Sequence, residues 1–352
     1  MNNIKYTILI PCLNEQETIS RVLIDAKENS DKYLNNKYEI LVADNGSTDG
    51  TLNIIKKHKG VRFVNVPIRG YGAALHWGIK NCSGEYIVFG DADLSYPFSN
   101  LKQFKKMLDV DKPDLILGSR LKGSIQKNAM PFLNRYLGTP ILTFLVRLLY
   151  GINTTDCNSG MRVVRKSFYN TLNMRNSGME WASELLLKTA IKKGKYREVP
   201  IKFLKDKRGK KPHLSRWSDG WRHLKSIILL KPVLFIYLMV LFLLLSLMAL
   251  QTNFGLTSLF LLLFTVTFFS YLALMFLAFA IETVHNPISK LLNNNYLVPF
   301  VALGLLCSGL MIFVLSDDHL GTKMLLGAIM SITLMWVFLI ETIKTHLVNR
   351  LP

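Results

Sequence analysis

The sequence predicts two architectures in tandem: an α/β domain on a mostly parallel sheet with flanking helices, then an all-α transmembrane domain of four helices. Three observations carry this. Strand-like and amphipathic helix-like segments alternate through the first 120 of the 352 residues. The net charge of +19 lies entirely in the first 231 residues, which hold 39 Lys/Arg against 20 Asp/Glu, while the remainder holds four of each. Four long apolar runs fill that uncharged remainder. The expected boundaries are 1–212 for the α/β domain, 213–231 for an amphipathic juxtamembrane helix and 232–352 for the spans.

The elements follow in order. "YTILIP" reads as a first strand, which makes the start "MNNIKYTILIPCLNE" a strand rather than a secretory leader. "QETISRVLIDAKENS" has the spacing of an amphipathic helix, and "YEILVAD" is a strand ending in the turn "NGSTDG". "TLNIIKKHK" (helix), "VRFVNVP" (strand), "YGAALHWGIKNC" (helix) and "EYIVFGDAD" (strand) continue the rhythm. Alternation of this kind places helices on both faces of a parallel sheet. Four cysteines (Cys12, Cys82, Cys157, Cys307) are far apart without metal-ligand spacing and read as reduced packing residues.

The spans come next. "VLFIYLMVLFLLLSLMAL" (233–250) carries no charge over 18 residues, and 256–281 none over 26. Two further runs lie near 297–315 and 324–340. About 20 apolar residues cross a bilayer core, so all four are candidates. Asp317 and Asp318 separate the last two, while the basic domain precedes the first, which puts that domain on the cytoplasmic side. Anchoring, self-association into a homo-oligomer and lipid presentation are all suitable uses for the spans. From Lys192 to Lys225 there are 13 Lys/Arg against three Asp/Glu. That run feeds into the first span with Trp217 and Trp221 one helical turn apart, which favours membrane lipids over nucleic acid as the partner.

In parallel sheets ligands gather beyond the carboxyl ends of the strands. Here those ends carry "PCLNEQE", "ADNGSTDG", "RGYG" and "DADLSYP". Along a strand, residues two apart share a face, so Asp91 and Asp93 are expected to project together into the cleft. Carboxylates that close repel unless a cation or proton sits between them, and Mg²⁺ or Mn²⁺ prefer such oxygen ligands. An acidic turn capping the next helix is the alternative. Glycines opening a helix at Gly70 and Gly72 either bring backbone N–H groups to a phosphate or permit tight packing.

Asp44 with "NGSTDG", then "DAD" 47 residues later, resembles glycosyltransferase family 2 and its GT-A fold. The likeness continues through "ILGSRLKG", "MPFLNRYLGTPILT", "TTDCNSGMRVVRKSF", "GMEWASELLLKTA" and "EVPIKFLKDKRGKKPHLSRWSDGWRHL", spanning about residues 5–231. In that order the motifs resemble the polyprenyl-phosphate branch, which includes dolichol phosphate mannose synthase. The resemblance implies nucleotide contacts from Pro11, Leu13, Asn14, Glu15, Asp44, Asn45, Arg69, Asp91 and Ala92. It implies a metal pair of Asp91 and Asp93, with Asp93 the direct ligand, and an acceptor-phosphate grip from Arg120, Arg135 and Thr139. Planar guanidinium groups suit a lipid phosphate. Asp156 matches a family Asp proposed as base, or it orients an arginine by ion pairing. Glu180 and Glu184, four apart, share a helix face. His76 stands where relatives often carry Arg and is given no role.

The activity implied is inverting transfer of one hexose, from UDP-glucose or GDP-mannose, to a polyprenyl phosphate. A processive polysaccharide synthase of the same fold would carry a Gln-x-x-Arg-Trp string, whereas Arg216-Trp217 here follows His213. A membrane protein that only senses nucleotide is the rival from another class.

Overall fold

The computed structural model describes residues 4–209 and, beyond them, residues 220, 223, 224, 226, 227 and 241. The chain divides into two units, 1–227 with 351–352 and 228–350; every element below belongs to the first. Apart from residue 241, the four expected spans lie outside the described residues, as do most of the juxtamembrane helix, with Trp217 and Trp221, and Cys307. Among the described residues no helix is long and apolar enough to cross a membrane.

The elements run β1 (Tyr6–Cys12), α1 (Ile19–Tyr33), β2 (Tyr38–Asp44), α2 (Thr51–Lys57), β3 (Val61–Asn65), α3 (Tyr71–Asn81) and β4 (Tyr86–Phe89). They continue with α4 (Leu101–Asp111), β5 (Leu115–Ile125), α5 (Thr139–Tyr150), β6 (Arg162–Arg165), α6 (Lys166–Thr171), α7 (Trp181–Ile191) and β7 (Tyr196–Phe203). The seven strands lie in the order β3-β2-β1-β4-β6-β5-β7. Only β6 runs against its neighbours, so the expected mostly parallel sheet is found. All seven residues of β1 are buried, as its unbroken apolar run requires of a central strand covered on both faces.

Period-2 alternation divides the core. Ile8, Ile10 and Cys12 pack with Ile19, Val22 and Leu23 of α1 and Phe104 of α4, whereas Leu9 points the other way, against Gly78 of α3. On that second face the Trp181 ring meets Phe89 edge-on at 5.6 Å between centroids. Cys12, Cys82 and Cys157 are buried and free, as expected of packing thiols.

The chain leaves β1 toward β2 and β3, then crosses back to β4 on the other side of β1. The carboxyl ends of β1 and β4 therefore form a switch point, where a crevice opens naturally. One expectation fails here. β4 ends at Phe89, not at Asp93, so Asp91 and Asp93 are not strand residues sharing a pleat. After Gly90 the chain turns, because the Asp93 carboxylate accepts hydrogen bonds from the backbone N–H (2.9 Å) and hydroxyl (2.6 Å) of Ser95, and Leu94 takes a left-handed conformation at φ 67°. An Asp side chain that binds the backbone two residues on competes with strand extension.

Candidate active site

At the switch point lies a cavity of about 350 Å³ lined by Pro11, Leu13 and Glu15 from the β1 end, Asn45 after β2, Arg69 and Tyr71 at the start of α3, and Asp91, Ala92 and Asp93 after β4. Arg208, beyond β7, closes one side. Each tip is held by side chain to backbone bonds. The Asn14 Oδ1 accepts from the Thr48 N–H at 2.7 Å, and the Asn14 N–H donates to Ser47 Oγ at 2.9 Å, clamping the turn after β2 to the end of β1. Asn45 ties the next loop, donating to the Ile68 carbonyl at 2.9 Å and accepting from the Gly70 N–H at 2.8 Å.

These bonds separate framing residues from lining ones. Asn14 and Asp44 do not line the cavity. The Asp44 carboxylate is buried and accepts from the Gly46 and Ser47 N–H groups, both at 3.1 Å, so it shapes its own turn. Gly70 and Gly72 settle toward packing. Gly70 has φ 142°, a value L side chains rarely adopt. A Cβ on Gly72 would stand 2.5 Å from Trp181 Cβ and 2.7 Å from the Asn176 carbonyl oxygen. The Ala73 N–H, at the first turn of α3, already donates to the Ser177 carbonyl at 2.9 Å.

The electrostatics centre on three carboxylates. Arg208 donates through Nη2 to Asp93 Oδ2 at 2.9 Å, through Nη1 to Glu15 Oε1 at 3.1 Å and through Nε to Asp206 Oδ2 at 2.8 Å. Tyr71 donates its hydroxyl to Asp91 Oδ1 at 3.0 Å. Burial pushes Glu15 up to about 7, against the pull of Arg208 and the Thr18 hydroxyl, with Asp93 adding to the rise. Burial, then Asp93, push Asp91 upward. The lining carboxylates Glu15, Asp91 and Asp93 thus outnumber the two guanidinium groups beside them, Arg69 and Arg208, which favours a further cation. Among the described residues no three His, Cys, Asp or Glu side chains are arranged to hold a metal. Asp91 and Asp93 both line the cavity, and Asp93 already accepts from Ser95 through Oδ1 and from Arg208 through Oδ2.

A second cluster stands apart from the cavity lining. Asp156, fully buried, accepts from Arg120 through its backbone N–H (3.0 Å), Nε (2.7 Å) and Nη2 (2.7 Å). The Arg120 guanidinium also lies 5.2 Å from the centroid of the Phe203 ring. Of the two readings of Asp156, this bidentate geometry is that of a side chain orienting an arginine. Arg135 stacks beside Tyr136 at 5.3 Å and Thr139 is buried at the start of α5. Neither is brought to the cavity.

Glu184 is a buried structural anchor. It accepts from the Arg175 and Asn176 N–H groups, both at 2.9 Å, and pairs with Lys188 at 2.6 Å. His76 meets the Tyr169 hydroxyl at 2.8 Å inside the fold. Tyr71, Met179 and Arg208 were not identified from the sequence. Arg208 sits in a conspicuously basic run, but nothing local marks which of its cations turns back.

Comparison with known proteins agrees with this architecture. The model of glycosyl transferase family 2 matches residues 7–172. The low-salt glycan biosynthesis hexosyltransferase Agl6 of Haloferax volcanii is 32% identical over 229 residues, 64% of this chain and 54% of the relative. This chain therefore matches only about half of that relative's length. A dolichyl-phosphate hexose transferase of the same organism is 29% identical over 223 residues, 63% of this chain and 91% of the relative. In fold, the chain resembles glucosyl-3-phosphoglycerate synthase from Mycobacterium tuberculosis, solved with Mn²⁺, UDP-glucose and phosphoglyceric acid, with a TM-score of 0.51 and 20% identity over 63% of this chain and 78% of that one. Over residues 7–172 this chain is similar to glycosyl transferase family 2, and its relatives include hexosyltransferases.

Proposed function

We propose that the protein is an inverting glycosyltransferase that moves one hexose from a nucleotide-sugar, UDP-glucose or GDP-mannose, to a polyprenyl phosphate. It would do so on the cytoplasmic face of a membrane that residues 232–352 cross four times. The observation that carries this reading is the carboxylate cavity at the β1/β4 switch point, capped by Arg208. It offers the carboxylate oxygens of Glu15, Asp91 and Asp93 and the guanidinium groups of Arg69 and Arg208 to a nucleoside diphosphate and its metal. The dolichyl-phosphate acceptor named for one relative supports the lipid phosphate as acceptor.

Asp91 and Asp93 would hold Mg²⁺ or Mn²⁺, which supplies positive charge to the departing diphosphate. Arg69 and Arg208 line the same cavity and add fixed charge for the donor. Arg120, its guanidinium pinned by Asp156, would aim the lipid phosphate. A phosphomonoester has a second pKa near ~6, so at neutral pH its oxygen is already deprotonated. That oxygen attacks the anomeric carbon from the side opposite the nucleotide. The bond from that carbon to the diphosphate oxygen breaks with its electron pair, and no proton moves.

The deciding experiment incubates the full chain in membranes with labelled nucleotide-sugars and polyprenyl phosphate, then follows label into organic solvent. Label in the lipid extract that needs a divalent ion and vanishes in Asp93→Ala is the expected result. Nucleotide binding with no transfer to any lipid phosphate would favour a sensor and end the proposal.

A further inference from the structure

The surface of α5 and the segment before it has inverted polarity. A π-type turn, Asn134–Gly138, runs directly into α5. The face turned inward carries Thr139, Thr143 and Val146. The face turned outward carries Phe132, Leu133, Tyr136, Leu137, Phe144 and Leu148, each at least 55% exposed. Only one other large apolar side chain among the described residues, Val110 on α4, is so exposed. Successive positions are one, three, four or seven residues apart, the spacings of one helical face, so they form one stripe. Scattered exposed apolar residues need no explanation, but a contiguous stripe does.

We propose that this stripe docks on an anionic lipid bilayer and seats the Arg120–Asp156 pair beside the lipid surface. Charge names the occupant. From Leu115 to Thr155 the chain holds five Lys/Arg (Arg120, Lys122, Lys127, Arg135 and Arg147) and no Asp or Glu. Aromatic and aliphatic side chains with only basic neighbours suit a helix lying among anionic headgroups. Arg135, stacked on exposed Tyr136, has the position of such a headgroup contact. A second copy of this chain fits poorly, because two such faces would oppose basic groups without one acidic partner.

The inner face links the stripe to the second cluster. Thr143 Oγ1 donates to Cys157 Sγ at 3.4 Å and accepts from the Cys157 N–H at 3.3 Å. Cys157 follows Asp156 in sequence, so α5 holds the loop that orients Arg120. This inference rests on the lipid-acceptor reading above for its purpose, but its test does not require turnover.

The full chain, with Cys307→Ser, is reconstituted in nanodiscs made with or without an anionic phospholipid. An environment-sensitive label is placed at Phe144→Cys or, as the control, at Val110→Cys. Spin-labelled lipid should quench the Phe144→Cys label severalfold more than the Val110→Cys label, and more strongly in anionic discs. No quenching at 144, or equal quenching at both sites, overturns the proposal. Excimer emission between pyrene-labelled Phe144→Cys copies, or crosslinking of that site to another protein, would assign the stripe to that partner and overturn it too. In parallel, Phe144→Glu with Leu148→Glu should raise the KM for polyprenyl phosphate severalfold in bilayers and leave nucleotide affinity unchanged. If no transfer occurs in any variant while quenching is as expected, the proposed function fails and the docking face stands.

Discussion

On the proposed reading Asp156 acts through Arg120, and a double-mutant cycle tests it. The two side chains share two hydrogen bonds of 2.7 Å, at side-chain exposures of 10% for Arg120 and 0% for Asp156. Breaking a buried pair by removing one partner costs about 3–5 kcal/mol, because the other charge is left uncompensated. An isosteric change keeps one acceptor, and a lost charge-assisted bond is worth about 1.5–3 kcal/mol. Asp156→Asn and Arg120→Gln should each lower kcat/KM for the lipid phosphate about 100-fold, since each tenfold corresponds to ~1.4 kcal/mol. The double variant should fall less than about tenfold below the weaker single, a coupling of the size seen for residues in one network. The assay is transfer of labelled sugar to polyprenyl phosphate by the reconstituted full chain, with nucleotide binding as the check on folding. The pH profile supplies an independent reading. If the acceptor is a lipid phosphate as proposed, an acid limb near ~6 is that of the phosphate and should persist in Asp156→Asn. Multiplicative losses in the double variant, or disappearance of that limb, would refute the orienting role and restore Asp156 as a base.

Two further outcomes follow from the packing. Gly72→Ala would press a methyl group against Trp181 and the Asn176 carbonyl, so overpacking should cost about 1–3 kcal/mol and lower the Tm by several degrees; an unchanged Tm would contradict the tight approach of α3 to α7. Burial depresses His76 to about 4, with Lys80 adding to the effect. Between its ordinary ~6.5 and that value the unfolded chain takes up a proton that the folded chain refuses. Stability therefore falls as pH drops through this window and levels off below it, by at most about 3 kcal/mol from this group. His76→Gln should show a shallower loss between pH 6.5 and 4 in denaturant titrations, and equal slopes would remove His76 as the cause.

The alternation of strand and helix was legible because it rests on local periodicity, which each segment of ten or so residues carries by itself. The β1–α1–β2–α2–β3–α3–β4 order could be read from such segments, with boundaries drifting by a few residues. The end of β4 was not. The run "YIVFGDAD" has strand composition throughout, but Asp93 folds back on Ser95, a competition decided by one side chain.

By itself the sequence determined that acidic and glycine-rich tips gather at one rim of a parallel sheet, and that Asp91, Asp93, Glu15, Asn45 and Arg69 stand there. The tertiary structure alone decided that Asp44 faces its own turn, that Asp156 is spent on Arg120, and that Arg208 reaches Asp93 across 115 residues of chain. The physical reason is range. Hydrophobic period and turn chemistry act between near neighbours, so they are written in consecutive residues. A hydrogen bond between distant positions exists only once strand order has brought them within 3 Å, and strand order is a property of the whole sheet.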